Sequence, residues 1–386
     1  MKRLVSRRRG FALAVALAAI VIIGGLIVGV FFASTQEFRV GRNAVLQARS
    51  LTAAEYGLNA VLSRATNTLA PPGWNRQWNT STGLVLTRTY DPGDGSKATV
   101  RVTGLGSGYF QVVSEGKSGD QAGAMGRSRI AAIANVTSVE VSVKGALTTQ
   151  GGNTIINGST IVSGGDSAVS GWDCPPPGTA LPGIAAGPSA TVTIKCTGCV
   201  TGDPPVQTDS AAGSSNTYNQ FGGANWDDLA NMADKTYISG TTLTGMAPVV
   251  SSGVCQTGLL NNWGDPQRVT VTSTSSGCAD YYPIVHALGS LHVTGGVGQG
   301  LLLVDGDLTA DGGFIFYGPV IVKGTLTVGG TGAHFNGGVL AQNANLDNSK
   351  ITGNAVVNYS SCAVQKATMG ATWPTLAKGR SWTELY

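Results

Sequence analysis

Charged residues are scarce in this chain of 386 residues, since Lys, Arg, Asp and Glu together make up only 12% of it. So little charge excludes a conventional disordered protein, which stays unfolded because it is highly charged and poor in apolar residues. Five of the 25 basic residues lie before residue 10, and the other 20 nearly balance the 21 acidic residues. The body therefore gives no strong nucleic-acid signal, because binding a phosphate backbone needs a basic excess. A local basic patch stays compatible with this balance.

Histidine is also rare, with three residues in the whole chain. No Gly-x-Ser-x-Gly nucleophile elbow stands between a strand and a helix, and no glycine-rich phosphate loop opens a helix. Counting residues leaves a Ser–His–Asp triad open, because its members need not be neighbours in sequence. We nevertheless predict that the protein is not an enzyme and holds no cofactor.

One long hydrophobic run is present, at residues 11–33, and it contains no charged residue. A helix rises ~1.5 Å per residue, so this run is long enough to span the ~30 Å hydrocarbon core of a bilayer. The basic residues before it predict a cytoplasmic N-terminus. We therefore expect a single-pass inner-membrane protein with a periplasmic or extracellular body.

Three fates are open to this segment. A signal peptidase site near Ala33 would place the bulky Phe31 where a small residue is preferred. An uncleaved signal anchor is the second fate. The third is cleavage between Gly10 and Phe11, because Arg8-Arg9-Gly10-Phe11 followed directly by an apolar run is the arrangement that a prepilin peptidase recognises.

The helical pattern continues beyond the apolar run, through residues 34–69. This stretch has no proline, and its apolar residues recur at helical spacing between polar ones. Pro71-Pro72-Gly73 then predicts the end of the helix. The sequence thus predicts a helix whose first half is suited to lipid and whose second half is amphipathic.

Residues 9–66 resemble the N-terminal domain of PilX-type minor pilins, in the type IV pilin superfamily. The resemblance rests on the apolar run and on three motifs, namely Arg9-Gly10-Phe11, Glu37-Phe38-Arg39-Val40-Gly41-Arg42-Asn43 and Ala53-Ala54-Glu55-Tyr56-Gly57. It implies removal of a leader, residues 1–10, methylation of the new Phe11 amine, and assembly through helix packing. The implied partners are other pilin or pseudopilin subunits, the inner-membrane assembly platform and the prepilin peptidase.

The same resemblance assigns an assembly helix. Its residues are Phe11, Val15, Glu37, Arg39, Asn43 and Glu55. Major pilins carry Glu at the fifth mature position, which in this chain is Val15. That departure implies a minor or capping subunit rather than the main fibre subunit.

Between the helix and residue 140 the pattern changes to short strands separated by Gly-rich and Pro-containing turns. We predict an antiparallel pilin-like sheet of about four strands at residues 70–140. A sheet of this kind must bury one face, and the outer half of the helix is the expected cover.

An internal repeat of about 18 residues predicts a mainly-β region, a β-solenoid or parallel β-helix. Its blocks are residues 141–166 and 282–360, and the same Gly-Leu-Thr-Gly-Gly pattern recurs in both. The expected columns of equivalent residues are Leu291, Leu308, Leu326 and, more weakly, Leu346, and then Ile284, Leu302, Ile321 and Leu340. An ordinary β-sandwich with coincidental spacing is the alternative. The fold class is therefore an α+β pilin-like region followed by this mainly-β region.

Residues 167–281 are rich in loop signals and are predicted to be an insertion, and residues 361–386 are expected to close the stack or pack back along it. Six cysteines occur in the chain, at Cys174, Cys196, Cys199, Cys255, Cys278 and Cys362. An even number in an exported chain predicts disulfides, with Cys255–Cys278 favoured by proximity. The Cys196–Cys199 spacing also fits zinc, but no second matching pair exists.

The best acidic cluster is Asp305, Asp307 and Asp311. Two of these residues precede glycine and fit simple turns. Two functional alternatives remain, a weak calcium site and the catalytic carboxylates of a β-helix enzyme. We predict no metal and no catalytic residue.

Together these observations predict a minor pilin or pseudopilin subunit of a type IV pilus or related assembly. Its helix would anchor a β-rich body that contacts a partner, a surface or a glycan ligand. The alternative is an uncleaved, membrane-anchored β-helix adhesin or glycan-binding protein. A β-helix enzyme acting on polysaccharides is the third hypothesis.

Overall fold

The computed structural model describes residues 9–62, 82–106, 108–119, 123, 125–137, 139–347, 355–369, 371, 373–377 and 382–385. They form two compact units. The first falls within Met1–Gly73, Thr80–Asn135 and Pro374–Tyr386, and the second within Val136–Trp373. The leader up to Arg8 and the predicted helix end near Leu69 lie outside the described residues.

The helices are α1 (Arg9–Leu62), α2 (Asn216–Asn219), α3 (Trp226–Asn231) and α4 (Ser361–Met369). The first twelve strands are β1 (Thr82–Tyr90), β2 (Lys97–Gly106), β3 (Tyr109–Gly119), β4 (Met125–Thr137), β5 (Leu147–Asn157), β6 (Ile161–Ser163), β7 (Ile184–Ile194), β8 (Val200–Thr201), β9 (Val206–Thr208), β10 (Gln220–Phe221), β11 (Ala224–Asn225) and β12 (Lys235–Tyr237). The others are β13 (Thr241–Met246), β14 (Val250–Ser251), β15 (Val254–Cys255), β16 (Ile284–Ala287), β17 (Leu291–Gln299), β18 (Leu301–Val304), β19 (Leu308–Asp311), β20 (Phe314–Val328), β21 (Ala333–Asp347), β22 (Val356–Tyr359), β23 (Trp373–Leu376) and β24 (Trp382–Leu385).

Helix α1 is continuous over 54 residues, because no proline interrupts it. At ~1.5 Å per residue it is about 80 Å long. The part from Leu13 onward is long and apolar enough to cross a membrane, and its most apolar window has a mean hydropathy of 2.9 with no residue buried. The apolar run and its amphipathic extension are therefore two halves of a single helix, as the sequence predicts.

The first unit also contains an antiparallel sheet in the order β1-β2-β3-β4-β23, with β24 pairing β4 as well. The predicted four-stranded meander is confirmed. Strands β23 and β24 were not predicted, since residues 361–386 were expected to belong with the parallel strands. Within the described part of this segment, α4 packs against β20 and β21, and Ala371 belongs to a hydrophobic cluster of the second unit. The last two strands instead pair with β4, because an edge strand offers unpaired backbone groups to any strand that reaches it.

The second unit is dominated by parallel strand pairs that form three ladders. Ladder A joins β12, β16, β18, the middle of β20, the middle of β21, the start of β5, the start of β7 and β9. Its inward residues are aligned as Lys235, Val285, Leu302, Val320, Val339, Leu147, Ile184 and Val206.

Ladder B follows ladder A along the chain, and ladder C follows ladder B. Ladder B aligns Thr241, Leu291, Leu308, Leu326, Ala344, Thr154 and Val192. Ladder C aligns Gly298, Phe316, Phe335, Val357, Val162 and Val200. Strand β20 bends twice and contributes one segment to each of the three ladders.

The order of strands in the ladders differs from their order in the chain. Strand β5 pairs β21 on one side and β7 on the other, so residues 147–157 stack after the later repeat block. The segment predicted to be a loop-rich insertion supplies both ends, with β7 to β9 at one and β12 and β13 at the other. Its strands were missed because most are short and their partners are distant in sequence.

The predicted residue columns are partly out of register. Leu291, Leu308 and Leu326 do align, but Ala344 continues this column instead of Leu346. In the other column Ile321 aligns with Leu340, whereas Leu302 lies one residue away, on the opposite face. Residues 301–304 are all buried, and an unbroken apolar run does not indicate which side chains face inward.

The turns between ladders C and A depend on glycine. Gly300 and Gly318 have φ values of 114° and 128°, a region that other residues rarely adopt. A Cβ on Gly318 would also lie only 2.0 Å from the Gly300 carbonyl oxygen. Successive strands can therefore stack closely only because this position lacks a side chain.

Apolar side chains inside the three ladders form the main core, which includes Trp263, Phe314, Phe316 and Phe335. A second cluster covers the outer side of ladder A, whose outward Ile284, Leu301, Leu303, Ile321 and Leu340 are all buried. The covering residues are Val139, Val141, Tyr218, Phe221, Ala224, Trp226 and Leu229. Segments outside the ladders thus cover the outer side of the middle strands of ladder A, whereas Thr236 and Gln207 at its ends are exposed.

Candidate functional site

The apolar part of α1 is the first candidate surface. Val15 is 51% exposed, and the large side chains around it are more than half exposed. No described residue of the first unit packs on them. Gly10 and Phe11 lie in the first turns of the same helix. An apolar helix surface of this size is unfavourable in water, so it requires lipid or other helices as its surroundings.

The polar residues assigned to the assembly helix are exposed as well. Glu37, Arg39 and Asn43 lie just beyond the apolar run, and Glu55 lies near the C-terminal end of the described helix. The structure does not gather these four side chains into one cluster, because they are spread over nineteen positions of the helix. All four side chains remain exposed.

The second half of α1 is docked on the antiparallel sheet. Ala54, Leu58 and Val61 are buried against it. The helix can approach closely because glycine occupies the sheet positions beneath it: a Cβ on Gly126 would lie 2.3 Å from the Leu46 carbonyl oxygen. The docked half of the helix is thus fixed to the sheet by backbone-to-backbone contact.

The opposite face of this sheet carries a basic patch, which we define as Arg101, Lys117, Arg127 and Arg129 around Glu115. The Glu115 carboxylate accepts hydrogen bonds from Arg127 at 2.6 Å and from Arg129 at 3.0 Å, and Lys117 Nζ lies 3.1 Å away. Chiefly through the Arg127 hydrogen bond, these cations lower the pKa of Glu115 to about 2. Sequence analysis left a local patch open, and the alternation of basic residues along β4 is the signal that marks it.

The three acidic candidates of the second unit do not form one site. Asp305 lies 2.9 Å from His286 Nε2 and accepts a hydrogen bond from Lys323 at 3.0 Å. Burial alone would raise the pKa of Asp305, but the hydrogen bonds from Lys323 and His286 outweigh it and lower that pKa. Lys323 also stands over the Trp226 ring, 3.9 Å from its centroid.

The other two carboxylates have different partners. Asp307 accepts a hydrogen bond at 2.8 Å from the backbone amide of Thr325, on the adjacent repeat. Sequence analysis favours simple turns for Asp305 and Asp311, which precede glycine, and not for Asp307. Asp311 lies 2.9 Å from His292 Nε2 and accepts a hydrogen bond from Thr294 at 2.7 Å. Across the described residues, no group of three or more His, Cys, Asp or Glu side chains has an arrangement that would hold a metal ion.

The outward face of ladder B, called here the threonine face, is the second candidate surface. One column of outward residues runs through Thr242, His292, Thr309, Thr327, Asn345, Ile155 and Thr193. The columns beside it contain Thr244, Thr294 and Asp311, and then Asp307, Thr325, Asn343, Asn153 and Thr191. The described side chains of all three columns are half-exposed or exposed. Sequence analysis missed this face, although the recurring Leu-Thr-x and Leu-x-x-Thr pattern marks it.

The six cysteines form three disulfides, namely Cys174–Cys362, Cys196–Cys199 and Cys255–Cys278. The pair favoured by proximity is therefore present, and the two cysteines with zinc-ligand spacing are bonded to each other. Cys174–Cys362 joins positions 188 residues apart. It ties the segment after β6 to helix α4.

No protein-family model matches this chain, and no curated protein matches it. Among solved structures, the crystal structure of the competence-associated pilin ComZ from Thermus thermophilus aligns with 89% of this chain and 97% of its own length. The two sequences are 11% identical in this alignment, and the TM-score is 0.21. A score of that size does not establish a common fold, so the neighbour leaves the family of this chain undecided.

Proposed function

We propose that this protein is a minor pilin or pseudopilin subunit of a type IV pilus or a related assembly. The observation that carries the proposal is helix α1. One uninterrupted helix has a fully exposed apolar first half and a second half docked on an antiparallel sheet. The PilX-type motifs along the same helix support this function.

In this proposal helix α1 occupies two environments in succession, first the membrane and then the assembled filament. It first anchors the chain in the inner membrane, with its N-terminus cytoplasmic. After a prepilin peptidase cleaves behind Gly10, the apolar surface exchanges lipid for the helices of other subunits, with the help of the assembly platform. Val15 lacks the carboxylate that would pair with a neighbouring N-terminal amine, which supports a minor or capping position.

The second unit would be a three-sided β-solenoid that forms the body of the subunit. The parallel registers of ladders A, B and C support this architecture, because a β-sandwich is built mainly from antiparallel pairs. The stacked glycine turns and the continuous apolar interior support it further. A body of this kind presents repeated side chains in straight columns.

The proposed role is structural, without catalytic turnover. A β-helix enzyme would need carboxylates converging on one substrate position. Asp305 and Asp311 are engaged with separate histidines, and Asp307 accepts a hydrogen bond from the Thr325 backbone amide. This division of partners supports assembly and display as the function.

The test is the mass of the N-terminal peptide of the membrane-extracted protein, from strains with and without prepilin peptidase. We expect a methylated Phe11 N-terminus that disappears in the peptidase-deficient strain. A Gly10→Val variant should keep its leader, whereas Gly24→Ala, at a position with no neighbour within 4 Å, should be processed normally. An intact Met1 in both strains would overturn the proposal and favour an uncleaved, membrane-anchored adhesin.

A further inference from the structure

The threonine face differs from the outer side of ladder A, which is covered. The outward residues of ladder A are apolar and lie beneath a second hydrophobic cluster. The outward residues of the threonine face are mostly hydroxyl and amide side chains, together with His292, Ile155, Asp307 and Asp311, and those described remain accessible. Thr309 and Thr327 are direct neighbours in its central column, in register on adjacent strands. Packing does not require hydroxyl groups at these positions, since valine would fill the same space.

The columns repeat at a fixed distance. Neighbouring strands in a sheet lie ~4.8 Å apart, so the central column offers one side chain at each such step. Its seven positions, from Thr242 to Thr193, extend over about 29 Å. A pyranose unit in an extended chain is about as long as the ~4.8 Å strand separation. Because alternate units of a β-1,4-linked chain are turned over, equivalent hydroxyl groups of such a polymer would recur at about every second strand of the column.

The charge of the face indicates which polymers fit. Asp307 and Asp311 are its acidic residues. Lys195 follows Thr193 by two residues, and Lys323, two residues before Thr325, is paired with Asp305. An anionic polymer would meet these carboxylates and be repelled. A neutral polymer with many hydroxyl groups would find hydrogen-bond donors and acceptors in threonine, asparagine and histidine side chains.

One side chain of the threonine face, His292, is held in a fixed orientation. His292 Nε2 lies 2.9 Å from Asp311 Oδ2 and 3.2 Å from Thr294 Oγ1, and Thr294 donates to the same carboxylate. These contacts fix the ring of a half-exposed histidine, which leaves its other nitrogen facing away from the carboxylate. A pre-oriented group loses less entropy when it binds a ligand.

We propose that the threonine face binds an extended, neutral polysaccharide, with the sugar chain lying along the column through Thr309 and Thr327. This inference deepens the proposed function by giving the displayed body a ligand class. The binding itself does not depend on cleavage or assembly. Failure to bind would therefore leave the N-terminal test of the proposed function unaffected, and the reverse also holds.

The experiment measures retention of the full-length protein, purified in detergent, on microcrystalline cellulose and on chitin, together with affinity for cellohexaose and chitohexaose. We expect retention on at least one of these neutral polymers. The Thr309→Val/Thr327→Val variant keeps the side-chain shape and removes two hydroxyl groups, and should bind about tenfold more weakly or worse. The Thr309→Ser/Thr327→Ser variant keeps both hydroxyl groups and should retain binding.

The matched control is Thr99→Val, on the antiparallel sheet of the first unit, which should bind like the wild type. Unchanged circular dichroism and melting temperature would show that the valine variant is folded. If the valine variant does not fold, binding by the serine variant still tests whether the hydroxyl groups are required. Three results would overturn the proposal. They are no retention of the wild type on either polymer, equal binding by the valine variant, and retention only on an anionic matrix such as heparin.

Discussion

Gly116 on strand β3 lies directly beneath Ser50 of helix α1, so closely that a Cβ at Gly116 would stand 1.9 Å from the Ser50 carbonyl oxygen. The backbones of helix and sheet therefore touch at this point. Beside it, the Ser50 and Ser128 hydroxyl oxygens are 2.8 Å apart and buried. The docking of the helix is thus determined by small residues on both partners.

Gly116→Ala should separate the helix from the sheet. The added methyl group cannot be accommodated without moving the backbone, and overpacking of this kind costs about 1–3 kcal/mol or more. We expect a lower melting temperature of the full-length protein in detergent. Gly41→Ala is the control on the same helix, because nothing lies within 4 Å of that position. A Gly116→Ala protein as stable as wild type would contradict the close docking.

Glu115 should make the stability of the first unit depend on acid pH. Its pKa falls from 4.5 to about 2, chiefly through the Arg127 hydrogen bond. A lowered pKa in the folded state stabilises the protein above the unfolded pKa, and this contribution is lost as the pH falls from about 5 towards 2. The three cations are exposed, so screening limits the effect to about 1 kcal/mol.

The measurement is the melting temperature between pH 2 and 6, for wild type and Glu115→Gln. The difference between the two proteins should be greatest above pH 5 and vanish near pH 2. Raising the salt concentration should reduce it. A difference that stays constant across this pH range would rule out the carboxylate as its source.

The three disulfides should contribute unequally to stability. In the chain-entropy account, a disulfide restricts the unfolded chain more when it closes a longer loop. Cys174–Cys362 spans 188 residues and Cys196–Cys199 spans three. We expect Cys174→Ser/Cys362→Ser to destabilise the second unit by about 2–5 kcal/mol. Cys196→Ser/Cys199→Ser serves as the matched control and should lower the denaturation midpoint much less, and equal losses would contradict the loop-length argument.

Gly318 should tolerate no side chain. Its φ of 128° disfavours alanine, and a Cβ would lie 2.0 Å from the carbonyl oxygen of Gly300, in the turn between β17 and β18. We expect Gly318→Ala to cost more than about 2 kcal/mol, the sum of backbone strain and overpacking. Gly329→Ala is the control, since its surroundings are open. Denaturant unfolding of both variants would test this, and similar midpoints would be evidence against tight stacking of the turns.

Local patterns were sufficient to predict α1 and strands β1 to β4 of the first unit, but not β23 and β24. The long helix follows from the absence of proline, and strands β1 to β4 follow from alternation between glycine-rich turns. The parallel ladders were harder to predict because their pairing is non-local. Residues 301–304 illustrate the difficulty: four consecutive apolar residues are all buried, and Leu302 faces the opposite side from Leu301 and Leu303.

The candidate surfaces were less predictable than the fold. Proximity in sequence predicted the Cys255–Cys278 disulfide. The long-range Cys174–Cys362 disulfide was not predicted, because it depends on where α4 packs. Asp305 and Asp311 are close in sequence, and the structure assigns them to different histidines on neighbouring strands. The threonine face arises only when strands from both repeat blocks are in register. Such alignments depend on the tertiary pairing rather than on local composition.

Strands β23 and β24, the last of the chain, pair with β4, so the first sheet is finished by residues synthesised after the whole second unit. During translation, that edge of β4 must wait without these partners until the ribosome has passed the second unit. A product that stops within the second unit would lack both strands and would leave the edge available for unwanted pairing. The first sheet is therefore completed only after the second unit has been synthesised.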